Sequence, residues 1–199
     1  MNKIYGDTQS GNCYKIKLLC NFLQLDHEWH HIDILAGDTK KPDFLSKSPN
    51  GKIPLLTLTD GRFLTESNAI MNYLAANSDL LPSDNYELAK VQQWQFFEQY
   101  SHEPYIAVAR FIAKYLGLPE DRRAEYNAKH QGGYKALSVM EQQLSISPYL
   151  IGDQFTTADI ALFAYTHVAH EGGFELNNYQ AILAWIDRIK NKPNYIAMA

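Results

Sequence analysis

The chain is short of cysteine, of basic excess and of long apolar runs, and each shortage removes a class of protein. Its 199 residues include two cysteines, Cys13 and Cys20, too few for a disulfide framework. The apolar spacing puts both on one helix, about 10 Å apart along its axis, which is beyond disulfide reach. Free thiols in a reducing compartment are therefore expected. Lys and Arg number 18 against 22 Asp and Glu, a formal net charge of −4. With no basic excess, neither nucleic acid nor an anionic membrane is expected as a partner. No stretch approaches the roughly 18 continuous apolar residues of a membrane span, and the opening MNKIYGDTQSGN lacks a signal-peptide core. A cytoplasmic protein is expected. Internal repeats, low-complexity tracts and an HExxH motif are also missing. His27, His30 and His31 lie on or beside one predicted strand with no obvious carboxylate from another element, and His167 and His170 stand at i, i+3 on a helix outside any HExxH motif, so no metal is expected.

What is present is ordinary globular composition, 46 % hydrophobic and 20 % charged, in a length suited to one domain or two small ones. The grammar changes along the chain. Lys3–Tyr5 starts a strand, a turn-forming loop follows, and Ile16, Leu19, Cys20 and Leu23 recur on one helical face. Residues 28–35 have strand character, and a short helix is possible at Pro42–Ser46. Asp60-Gly61 between two β-prone runs signals a hairpin whose two turn positions both need positive φ. Thr65 is placed to cap a helix over Glu66–Ala76. The order is β-α-β-loop-β-β-α over residues 1–78, with a linker at 79–85. Residues 86–199 show no strand pattern: a long helix kinked near Pro104, a helix over Asp121–Leu144 weakened at Gly132-Gly133, a capping box at Thr156–Asp159 stapled by Phe155 on Ile160, and a last helix before Pro193.

Three stretches carry possible chemistry. Ser10-Gly11-Asn12-Cys13 sits at a helix start, where free N–H groups and the dipole favour an anion, although Ser10 or Asn12 serves equally well as a plain cap. In Asn50-Gly51-Lys52-Ile53-Pro54, a cis Pro54 would turn the Ile53 backbone toward a peptide-like ligand, against the commoner trans form. At Thr65-Glu66-Ser67, Ser67 suits a ligand carboxylate and Glu66 a ligand ammonium, or the stretch simply caps its helix.

Together, and in this order, SGNC, NGKIP, TESNAI and QFTTADIAL resemble the cytosolic glutathione transferase family over essentially the whole chain. The resemblance implies an α/β thioredoxin-like N-terminal domain, an all-α C-terminal domain and a homodimer. It also implies glutathione as co-substrate, with no metal, for attack on a small electrophile. Ile53 would pair its backbone with the cysteinyl part, beside a cis Pro54. Glu66 and Ser67 would hold the γ-glutamyl end, and Lys52, with Lys40 or Lys41, would face the glycine carboxylate. Ser10 matches the thiol-activating serine of the S-x-x-C signature, and Tyr5 is the alternative activator. The electrophile pocket would draw on Gly11, Asn12, Tyr105, Arg110 and Phe111, with Tyr100 and His102 nearby. Gly11-Asn12 departs from the family's usual proline before the cysteine. Two other readings stay open: thiol-disulfide exchange through Cys13, and a non-catalytic glutathione-binding module.

Overall fold

Burial alternates along Asn2–Gly6 (β1), with Ile4 and Gly6 turned inward and Tyr5 to the other face. Gly6 backs onto helix α1 (Gly11–Phe22), where an added Cβ would lie 2.7 Å from the Cys13 sulfur. In this computed structural model, which describes residues 1–198, β2 (His27–His31) runs parallel to β1. On the other edge of β1, β3 (Leu55–Thr57) is antiparallel and is joined to β4 (Phe63–Thr65). The sheet order is β2-β1-β3-β4, and α1 packs against α3 (Ser67–Leu74). A short helix α2 (Pro42–Leu45) precedes β3. This is the expected thioredoxin-like arrangement.

Local chemistry moves several boundaries. The second strand stops at His31, short of residue 35, because the Asp33 carboxylate accepts from the N–H groups of Leu35 and Ala36 at 2.9 Å and turns the chain. In the hairpin only Gly61 has positive φ, at 87°. Gly61 N–H donates to Leu58 O at 3.0 Å, so the loop is the three-residue kind and Asp60 keeps an ordinary φ. The helix expected over Glu66–Ala76 begins at Ser67 and ends at Leu74, and Glu66 rather than Thr65 holds the cap position.

The second unit, Asp79–Lys192, is helical. Asp84 accepts from the N–H groups of Tyr86 and Glu87 and starts α4 (Asn85–Phe97). The expected kink at Pro104 takes the form of a π-helical turn, Glu98–His102, ahead of α5 (Glu103–Arg110). The wider turn makes room for a ring that clashes with the carbonyl four residues back. A second π-helical turn, Phe111–Tyr115, follows. α6 (Arg123–Leu144) starts after a 3-10 turn at Glu120–Arg122. Its Gly132 and Gly133 are seats for rings: an added Cβ would stand 2.2 Å from Tyr105 at the first and 2.3 Å from Phe174 at the second. α7 (Thr157–Thr166) is buried on every side, as suits a central helix, and α8 (Gln180–Lys190) completes the unit.

The seam falls between Ser78 and Asp79, but the 86–199 boundary gives the helical domain too much. From Pro193 the tail belongs to the first unit, where the Tyr14 hydroxyl donates to Ile196 O at 2.7 Å and the Asn21 amide to Asn194 O.

In the second unit the His167 ring stacks on Phe163 at 4.4 Å and hydrogen-bonds Phe163 O through Nδ1. Burial pulls its pKa down to about 4, so it folds neutral. The unfolded chain takes up the proton near pH 6.5, which makes this contribution to stability fall as pH drops from about 6.5 toward 4. His167→Gln should remove about 2 kcal/mol of the stability lost between pH 7 and 5. Urea unfolding at the two pH values checks this, and an unchanged difference would contradict it.

Candidate functional site

Ser10 is the N-cap of α1 with extended backbone, φ −74° and ψ 125°, yet its hydroxyl caps no helix N–H. It hydrogen-bonds the Cys13 thiol instead, so the plain-cap alternative for Ser10 does not hold. Cys13 has no exposure, and burial pushes its pKa up to about 12 despite the opposing bonds from Ser10 and the Asp7 backbone. It is held as a neutral thiol under β1, an environment that disfavours the thiolate needed for exchange. Ser10 is half-buried, whereas Cys13 is sealed.

At the head of α3, Glu66 holds φ 66° and ψ 113°, a strained backbone for a residue with a Cβ. Glu66 is exposed while its neighbour Ser67 is buried. Ser67 Oγ accepts from Lys15 Nζ at 3.2 Å and donates to Asn12 Oδ1 at 3.2 Å. The starts of α1 and α3 are thus tied together through Asn12, Lys15 and Ser67, and Gly11 is buried beside them. Lys15 gave no signal in the sequence, since a lysine in a helix is normally a solvated one.

The Ile53–Pro54 peptide is cis, and Pro54 is buried at the entrance to β3. Beside it Lys40 and Lys52 are exposed, with Lys40 Nζ 3.4 Å from Gly51 O. Lys41 is engaged elsewhere, in an ion pair with Asp38 at 2.6 Å. Tyr5 stacks on His30 at 4.6 Å with Lys47 over its ring, on the face of β1 opposite the Gly6–Cys13 contact.

The residues expected to line a pocket in the helical unit do not gather. Arg110, 1 % exposed, pairs with Glu171 at 2.5 Å, and Lys114 shares the same carboxylate at 2.6 Å. His102 is fully buried and bonded to Thr166. Both side chains are buried, and the Arg110 guanidinium is committed to Glu171. Phe111 stacks on Tyr115 at 5.2 Å. Tyr100 and Tyr105 line a cavity of about 200 Å³ together with Phe97 and Lys135. Among the described residues no group of three or more His, Cys, Asp or Glu is placed to hold a metal, and no helix is long and apolar enough to cross a membrane.

Comparison with known proteins gives this geometry its context. Residues 9–77 match the glutathione S-transferase N-terminal domain and residues 94–193 the C-terminal domain. The crystal structure of a glutathione S-transferase from Pseudomonas fluorescens Pf-5 superposes with a TM-score of 0.97 at 60 % identity, covering 99 % of this chain and 98 % of that one. Glutathione S-transferase 3 of Zea mays is 34 % identical over 79 % of this chain and 73 % of its own. The disulfide-bond oxidoreductase YfcG of Escherichia coli is 30 % identical over 92 % and 87 %. The chain belongs to the glutathione S-transferase family.

Proposed function

We propose that this protein binds glutathione in its thioredoxin-like unit and activates the thiol for attack on a small electrophile. The observation that carries the reading is the bridge between two helix starts, Asn12 on α1 and Ser67 on α3, 3.2 Å apart. Each start favours negative charge. A peptide laid across both meets Ser10 with its thiolate and Ser67 N–H with its γ-glutamyl carboxylate. Ile53 offers its backbone to the cysteinyl part, Glu66 takes the ammonium, and Lys52 and Lys40 face the glycine carboxylate.

The activation asks little of the site. A thiol of pKa about 8.5 is only a few per cent ionised at neutral pH. One hydrogen bond to the charged sulfur contributes about 1.5–3 kcal/mol, or one to two pKa units, and the helix dipole about 0.3–1 kcal/mol more. Ser10 at the head of α1 is sufficient, with no metal and no separate base.

Glutathione at 100 times its dissociation constant should stabilise the protein by about 2.7 kcal/mol. A melting temperature that does not rise in millimolar glutathione would remove this reading. A second activity, reduction of glutathione mixed disulfides, is favoured by the YfcG relative. With Cys13 sealed, that exchange would run through the thiol of glutathione itself. Parallel assays with chlorodinitrobenzene and hydroxyethyl disulfide separate the two.

The protein is further proposed to act in the cytoplasm as a homodimer, each unit having exposed apolar side chains for a partner to cover, Phe63 and Tyr73 on the first and Phe96, Tyr100 and Ile146 on the second. Light scattering should give twice the 22.7 kDa chain mass at micromolar concentration, and the single-chain mass would refute the dimer.

A further inference from the structure

Residues 39–52 carry the exposed Lys40 and Lys52 and bond chiefly to themselves. Gly51 N–H donates to Ser48 O at 2.8 Å, the Ser48 hydroxyl to Lys52 O at 3.4 Å, and Lys40 Nζ to Gly51 O at 3.4 Å. Lys47 pairs with Asp43 at 2.7 Å in the same stretch. Among the described residues, no hydrogen bond or ion pair ties this stretch to the strands. What does reach the sheet is Lys47, whose Nζ stands 5.8 Å from the centre of the Tyr5 ring. Its side chain is 24 % exposed, so water competes for that contact only in part. Tyr5 is itself held. It pairs in register with His30, the two rings stack at 4.6 Å with 15° between their planes, and His30 Nε2 lies 2.9 Å from Glu28 Oε1. A ring fixed in this way offers a constant π face to a cation.

We propose that Tyr5, backed by His30, is a positioning residue for glutathione recognition: it seats the 39–52 stretch through Lys47 and thereby places Lys40 and Lys52 at the glycine carboxylate. The inference deepens the glutathione reading and rests on it. Three cations of one stretch then divide two tasks. Lys47 directs its charge at the Tyr5 ring and holds the stretch in place, while Lys40 and Lys52 stay exposed to meet an anion. Backbone with so few ties to its surroundings opens at low free energy, so the one charged contact that crosses to the sheet has a large say in where the stretch rests.

The test compares glutathione with γ-glutamylcysteine, whose terminal carboxylate falls one residue short. Calorimetry on the unmutated protein should show glutathione binding at least about tenfold more tightly, as one charge-assisted contact allows. Lys47→Met and Tyr5→Leu should each cut that preference about two- to fivefold, the reach of one partly exposed cation–π contact. Tyr5→Phe, which keeps the ring face, and Lys47→Arg, which keeps a cation able to stack on it, should retain the preference. A preference left intact by Lys47→Met, whatever happens to Tm, overturns the proposal. So does equal binding of the two ligands by the unmutated protein. Amide exchange of residues 40–52 without ligand should quicken about two- to fivefold in Lys47→Met and not in Lys47→Arg, and unchanged exchange overturns the seat independently of glutathione. Unmutated protein that binds neither ligand overturns the glutathione reading and the recognition role with it, while the exchange measurement still decides whether Tyr5 is the seat.

Discussion

Replacing Asp159 by alanine should cost about 3–5 kcal/mol, enough to unfold much of a protein of ordinary stability. Asp159 has no exposure, and its carboxylate collects four donors: Leu150 N–H and Thr156 N–H at 3.0 Å each, Trp185 Nε1 at 2.9 Å and the Thr156 hydroxyl at 3.4 Å. Thr156 in turn accepts from Ala158 N–H, closing the capping box at the start of α7. The substitution leaves these donors buried without an acceptor, each at about 1–3 kcal/mol before relaxation. It also releases Trp185, a large, fully buried side chain of α8. Asp159→Asn keeps the shape but sets an amide against donors, so it should recover little. Chemical denaturation measures both, and a loss below about 1 kcal/mol would mean that the box is ornamental.

Ser10→Ala should raise the pKa of bound glutathione by about one to two units, the equivalent of one charge-assisted hydrogen bond. If thiolate formation limits the rate, turnover at neutral pH should fall about ten- to a hundredfold while affinity changes little. Cys13→Ala should leave both nearly intact. Ultraviolet thiolate absorbance followed against pH in the two variants decides the matter. An unchanged titration in Ser10→Ala would assign the activation to another group. Loss of activity in Cys13→Ala alone would favour thiol exchange.

Much of this was legible in the amino-acid order because local rules dominate where backbone groups need partners. The Thr156–Asp159 box, the Asp60-Gly61 turn and the seam before Asp79 are such places. The rest depends on what lies across the fold. Arg110 resembled a pocket cation until Glu171, 61 residues away, claimed it. Gly132 and Gly133 looked like weak points of a helix, when their value is the ring each admits. Glu66 belongs outside its helix because its φ is positive, which no propensity foretells for a glutamate. Lys15 was hidden for the same reason: the Ser67 hydroxyl to which it donates lies 52 residues away in the chain.

The return of the tail has a temporal meaning. The hydrogen bond from Tyr14 to Ile196 joins residues 182 positions apart, so the whole helical unit is inserted between two parts of the first. A ribosome finishes β1, α1 and the sheet long before it makes the acceptor for Tyr14. The thioredoxin-like unit must wait, short of the hydrogen bonds that Tyr14 and Asn21 make to the tail, until the other unit has been synthesised, and the ring thus closed is long enough for its entropy cost to be nearly insensitive to a few inserted residues. A fragment ending at Ser78 is for this reason an incomplete unit rather than a liberated domain.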